Sequence, residues 1–298
     1  MQVFDLHADT ISKLMDTKEE LRKNNLHLDV ERLCNYSSYV QVFAVFSEEF
    51  SPVLAKTAAK EIIEKFYAEC RKNNIAICKN YDDYMAAKSP VKAFLSLEGG
   101  YCIEEISDID RLYDMGVRMI APTWNYGSAI ASGVLDEIDN GLSAFGKKAV
   151  LKMNELGIII DVSHISPRSF WDIARISKMP IIASHSNLKS VKQNARNLDD
   201  EQFVQICKMG GIVGINLYPQ FFGEDIKDVV EHVKKMLALG GEDSIAIGAD
   251  FDGVDRLPRG VRGVEDIEKL INLIPVESEI REKIAFKNAL RISKLHNI

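Results

Sequence analysis

Short apolar runs recur along the chain, and each stops at polar or charged residues. They are VFDLH (3–7), YVQVFAVF (39–46), KAFLSLE (92–98), VRMIAPT (117–123), GIIIDVSH (157–164), PIIASH (180–185), GIVGINL (211–217) and SIAIGAD (244–250). Near-continuous apolarity over such short spans, bounded by Gly, Pro or charge, predicts strands buried on both faces. Between them lie stretches with helical periodicity, at 51–74, 142–157, 166–178, 198–211 and 226–241. Gly157, Gly210 and Gly240 close three of these, where a left-handed cap belongs. Strand–helix alternation implies parallel pairing, and a count of eight favours an α/β fold closed as a (β/α)8 TIM barrel over an open sheet. No linker or compositional break divides the chain, so one domain over 1–298 is expected. Its helical tail, from about 261, is expected to close the bottom or side of the barrel.

Composition narrows the partners. The 298 residues are 46% hydrophobic and 27% charged, with a net charge of -7. There is no basic footprint for nucleic acid and no apolar run near the ~20 residues that span a bilayer. The first residues, MQVFDLHADT, enter a strand without a basic leader, and the last, ALRISKLHNI, carry no apolar anchor signal. Cys34, Cys70, Cys78, Cys102 and Cys207 are odd in number and scattered, which reads as reduced thiols. The expectation is a cytoplasmic protein without membrane or nucleic-acid partners.

The chemistry gathers at strand ends. The first strand ends in His7 and Asp9, the third in Glu98, the fifth in His164, the sixth in His185 and the eighth in Asp250. His164 and His185 are 21 residues apart, one compact βα unit, whereas the 66 residues from Glu98 to His164 and the 65 from His185 to Asp250 each skip a strand. All six therefore reach one face of a barrel. Period-two alternation sends His7 and Asp9 to the same side, so they can grip one cation. His164 and His185 can grip a second, and Glu98, with two oxygens, can bridge both. Nitrogen and carboxylate donors suit two Zn2+ ions, with Mn2+ or Co2+ as substitutes. Such a pair would hold a shared water and lower its pKa, leaving Asp250 to carry the proton. Asp5, one layer deeper than His7, is expected to orient a ligand histidine; for Asp161 a structural hydrogen-bonding role is as good a reading. His27, His232 and His296 fall outside the pattern and are expected to be structural or solvated.

The chain resembles the membrane (renal-type) dipeptidases, peptidase family M19 of the amidohydrolase superfamily. The resemblance rests on DLHADT at the start, LEGG (97–100), GLSAFGKKAVLKMNELGIIIDVSHIS (141–166), PIIASHSN (180–187), ARNLDD (195–200) and GADFDGV (248–254). It implies a binuclear zinc barrel that cleaves dipeptides and tolerates a D-residue at the C-terminal position. By position, His7, Asp9, Glu98, His164 and His185 become the metal ligands and Asp250 the proton carrier, also touching substrate. Arg196 becomes the partner of the substrate carboxylate, a role suited to its planar fork. Family members are often dimers, so a homodimer is compatible. Well-known members have a histidine after the fourth strand that helps hold the oxyanion. Here PTWN places Trp124 there, with Asn125 as a substitute donor; Tyr218 is a further substrate-binding candidate. The altered pocket keeps open another amidohydrolase reaction, on N-acyl D-amino acids or lactones, and a silent metal- or peptide-binding barrel. The signals and paired cysteines of the animal enzymes are missing, which fits a bacterial-type member.

Overall fold

The computed structural model describes residues 1–47 and 50–296. Eight parallel strands form a closed barrel: β1 (Gln2–Ala8), β2 (Ser38–Val45), β3 (Val91–Glu98), β4 (Val117–Ala121), β5 (Ile159–Asp161), β6 (Ile181–Ala183), β7 (Ile212–Ile215) and β8 (Ile245–Ile247). Each pairs with its successor, and β8 returns to β1 through Asp5 opposite Ile247. An accessory two-residue strand, Ala76–Ile77, pairs with the start of β3. The (β/α)8 expectation holds, and each of the eight runs falls on a strand.

The helices that carry the chain back outside include α1 (Pro52–Lys72), α2 (Ile106–Asp114), α3 (Ala144–Leu156), α4 (Pro167–Ile176), α5 (Asp200–Lys208) and α6 (Val229–Ala238). Their ends follow local chemistry. Ser143 and Ser166 accept first-turn amides of α3 and α4, and Pro167 occupies the start of α4, where no N–H is needed. Gly157, Gly210 and Gly240 all adopt positive φ after their helices, as the caps require.

Strand ends depart from the pattern. The runs at 157–164 and 180–185 predict longer strands than β5 and β6 provide. The reason is visible at Asp161, whose carboxylate accepts the backbone N–H groups of Ser163 and Ser184. Amides that a longer ladder would use are spent on a side chain, so both chains leave the sheet and turn across the mouth. Gly214 of β7 and Gly248 just after β8 lie so close to the Ser184 carbonyl that a Cβ on either would collide with it.

At the opposite end, the tail runs helically from Ser278 to Leu295. Ala289 and Ile292 face Phe4, Phe94 and Met119 of the barrel interior, and the Phe286 ring lies 6.5 Å from Phe4. The His296 ring meets the carbonyls of Gly157 and Pro180, just before β5 and β6. The tail therefore covers the amino-terminal end, leaving the carboxyl end open for chemistry. Among the described residues no helix is long and apolar enough to cross a membrane.

Candidate metal centre

The six side chains expected at one rim do meet there. His7 Nε2 lies 3.2 Å from Asp9 Oδ2, 3.3 Å from Glu98 Oε2 and 3.9 Å from Asp250 Oδ1. The other Glu98 oxygen, Oε1, lies 2.6 Å from His164 Nε2 and 3.5 Å from His185 Nε2. Glu98 thus stands between the two pairs, one oxygen toward each. Three overlapping groups have the proximity a cation needs: His7–Asp9–Glu98, Glu98–His164–His185, and His7–His185–Asp250. All six residues are buried.

A second layer of polar groups aims these side chains. Asn125 Oδ1 lies 2.9 Å from His164 Nδ1. Ser184 Oγ lies 2.7 Å from His185 Nδ1 and donates to Asp161 Oδ2. Asn216 Nδ2 donates to Asp250 Oδ2 at 2.8 Å, while its own oxygen accepts the Tyr218 amide at 2.6 Å. That second bond fixes which way the Asn216 amide faces and leaves Asp250 Oδ1 toward the centre. Asp250 and Asp252 both have positive φ, a conformation costly for non-glycine residues except where side-chain bonds hold it. Thr10 and the His27 amide hold it by donating to Asp252. His27 is thus a structural partner of the loop that presents Asp250. His232, buried in α6, holds the Phe222 carbonyl.

Asp5 departs from expectation. Its carboxylate accepts the backbone N–H groups of His7 and Ala249 and the Tyr39 hydroxyl, and does not touch the His7 ring. Two backbone amides converge on Oδ1, and Oδ2 meets the Tyr39 hydroxyl at 3.4 Å. His7 Nδ1 has no hydrogen-bond partner among the described residues.

The electrostatics suit a cation. Burial opposes charge on His7, but the Glu98 and Asp9 carboxylates outweigh it and push its pKa well above the ordinary value. Burial and the Arg196 charge lower His164 to about 4, and burial and protonated His7 hold His185 well below its ordinary value. Burial and neighbouring Glu98 raise Asp9 to about 7. His164 and His185 are therefore neutral. With their Nδ1 protons given to Asn125 and Ser184, both turn an Nε2 lone pair inward, and these nitrogens are 2.7 Å apart. Glu98 Oε1 adds a third lone pair beside them. Arg196 Nη2, 3.2 Å from His164 Nε2, can donate to one of the three; a divalent cation would serve all of them at once, and the donor set fits one.

Around this centre opens a cavity of about 750 Å³, ample for a small ligand. Trp124 and Tyr218 both line it. Trp124 packs 5.4 Å from the Phe46 ring. Asn125 also reaches the cavity, but its oxygen is occupied by His164. Arg196 is buried, donates to the Ser163 and His185 carbonyls, reaches His164 Nε2 at 3.2 Å, and lies over the Phe221 ring. Its Nε has no partner among the described residues. The residues the sequence reading did not single out are Ser184 and Asn216. Their one signal is a polar residue at the end of an apolar run, in ASH and GINL.

Comparisons with known proteins bear on the family and the fold. The family model described as membrane dipeptidase (peptidase family M19) matches residues 1–297. A Klebsiella pneumoniae protein, described only by its place in the region 5′ of pqqA, is 33% identical over 204 residues, 63% of this chain and 75% of its own length. An uncharacterized dipeptidase of Schizosaccharomyces pombe is 29% identical over 274 residues, covering 83% of this chain and 65% of that protein, less than two thirds of its length. Among solved structures, a Rhodobacter sphaeroides metallopeptidase liganded with a phosphinate mimic of the dipeptide L-Ala-D-Ala is similar with a TM-score of 0.91. It is 22% identical, over 99% of both chains. A probable dipeptidase of Pseudomonas aeruginosa is similar with a TM-score of 0.87 and 19% identity, over 99% of this chain and 95% of that one. At those identities the structural likeness bears on the fold.

Proposed function

The chain belongs to the membrane dipeptidase family, peptidase family M19, and is a hydrolase of the metallo-dipeptidase type; from that premise we propose that it cleaves the single peptide bond of dipeptides, including those with a C-terminal D-residue. The observation that carries the reading is the convergence of the His164, His185 and Glu98 lone pairs on one point beside His7 and Asp9. His7, Asp9 and Glu98 would hold one divalent cation, and Glu98, His164 and His185 a second, with zinc favoured by the donor types. Such a pair, when bound, polarises a carbonyl and lowers the pKa of water.

The chain's own residues do the rest. Arg196 lines the cavity, its buried Nε has no partner among the described residues, and it receives the substrate carboxylate. Asp250 Oδ1 takes the proton of the attacking water and returns it to the departing nitrogen, while Asn216 holds Oδ2 still. Burial and the Glu98 charge raise the Asp250 pKa above the ordinary carboxylate value, which favours transient protonation. Trp124, Phe46 and Tyr218 wall the cavity and exclude water around the scissile bond.

Hydrolysis of a dipeptide panel varied in stereochemistry, run beside N-acyl amino acids and lactones, tests the reading. Amino acids are expected from L-L and L-D dipeptides, with loss on chelation and recovery on adding zinc. Cleavage of acylated amino acids or lactones alone would replace the dipeptidase reading with the other amidohydrolase reaction. Two bound zinc ions with no substrate cleaved would replace it with a binding barrel.

A further inference from the structure

His185 lies just beyond the end of β6, so the sheet does not orient its ring. We propose that Asp161 and Ser184 form a relay that fixes the tautomer of His185 and keeps its Nε2 lone pair directed into the metal cage. The inference rests on His185 being a metal ligand, as proposed above.

The argument is a count of protons. Asp161 Oδ1 accepts the Ser163 amide at 3.0 Å, the Ser163 hydroxyl at 2.6 Å and the Ser184 amide at 2.9 Å. These bonds anchor the carboxylate and leave Oδ2 for Ser184 Oγ. A carboxylate only accepts, so the single Ser184 proton goes to Asp161. Ser184 Oγ then has only lone pairs for His185 Nδ1, 2.7 Å away. Nδ1 must carry the ring proton, and Nε2 is left bare. Ser163 Oγ also lies 3.2 Å from Ser184 Oγ, but it supplies no proton there, because its own hydroxyl proton is on Asp161 at the shorter distance of 2.6 Å and its oxygen accepts the His185 amide at 3.2 Å. All four residues are buried, so water does not compete. Asp161 and Ser184 act through His185 and are positioning residues.

The same count predicts what a one-atom change does. In Asp161→Asn, the amide oxygen stays on the two backbone N–H groups, so the new NH2 replaces Oδ2 and donates to Ser184 Oγ. The Ser184 hydroxyl then turns to His185 Nδ1 at 2.7 Å, the nearer of its two remaining acceptors, the other being Ser163 Oγ at 3.2 Å. The ring proton moves to Nε2 and blocks the cage, the logic by which an aspartate controls a histidine tautomer in serine proteases. Ser184→Ala removes the relay without reversing it.

The test combines nitrogen-15 spectra of the histidine rings with zinc titration against a competing chelator, for the parent protein and both variants. Zinc affinity is expected to fall about 100-fold in Asp161→Asn and about 10-fold in Ser184→Ala, the range for lost outer-shell support. The His185 proton should sit on Nδ1 in the parent and on Nε2 in chelated Asp161→Asn. Thermal melting of each variant separates these effects from a folding defect, and Ser184→Ala, which preserves volume, keeps the test alive if Asp161→Asn does not fold. Parental zinc affinity and an Nδ1 proton in Asp161→Asn would overturn the relay. So would equal weakening in both variants with no move of the ring proton. If the parent protein itself bound no zinc, the metal reading would fail, while the ring spectra would still decide the relay.

Discussion

The β1 side of the cage and the β5–β6 side present histidines to the same point by different means. His7 lies inside β1, where the register with β2 shifts between Asp5 and Ala8; its N–H is held by the Asp5 carboxylate and its carbonyl by the Asp250 N–H, while its ring Nδ1 has no partner among the described residues. His164 and His185 lie beyond Asp161 and Ala183, where β5 and β6 end. Each of their rings is tethered by hydrogen bonds, to Asn125 or to Ser184 backed by Asp161. Charge divides the same way. Carboxylates crowd His7 and raise its pKa, whereas burial and Arg196 keep His164 neutral. On the β1 side the hydrogen bonds hold the backbone of the ligand residue, while on the β5–β6 side a buried polar network holds the rings themselves. The second arrangement is the one that single-atom changes can disturb.

Four substitutions sharpen or break this contrast. Glu98→Ala removes the one residue shared by both sides. Zinc content measured by elemental analysis should fall on both, and affinity should drop by more than the ~10–100-fold that outer-shell losses cost. Retention of both ions would end the bridging assignment. Asp250→Asn should leave zinc content intact and lower kcat by about 10²–10⁴, the contribution of a positioned proton carrier; near-parental turnover would show that another group moves the proton. Asn125→Ala cuts the tether of His164 alone. Chelator competition should show about 10-fold weaker zinc binding, confined to one ion of the two. Tyr39→Phe touches only the Asp5 carboxylate, which bonds the backbone of His7. Its zinc affinity should change less than in Asn125→Ala, and an equal loss would mean that the β1 side also depends on side-chain tethers.

Much of this was legible in the sequence because barrel strands are buried on both faces and their chemistry sits at one end. The apolar runs located all eight strands, and counting strands between His7, Glu98, His164, His185 and Asp250 put them at one mouth. The supports were less legible. Ser184 and Asn216 each look like an ordinary polar residue closing a strand, and their partners lie on a neighbouring strand, Asp161 for one and Asp250 for the other. Only the register between β5 and β6, or β7 and β8, brings them together. Asn125, following Trp124 at the pocket, reads in sequence as a substrate contact. The turn of chain that swings its oxygen onto His164 has no signature in composition. Asp5 misled for the opposite reason. Side-chain alternation put it under His7, but its carboxylate accepts two backbone amides.

Anomalous diffraction at the zinc edge from zinc-loaded crystals tests the central claim most directly. Two peaks are expected, one touching His7 and Asp9, the other His164 and His185, with Glu98 in contact with both. A single peak, or peaks away from Glu98, would contradict the account.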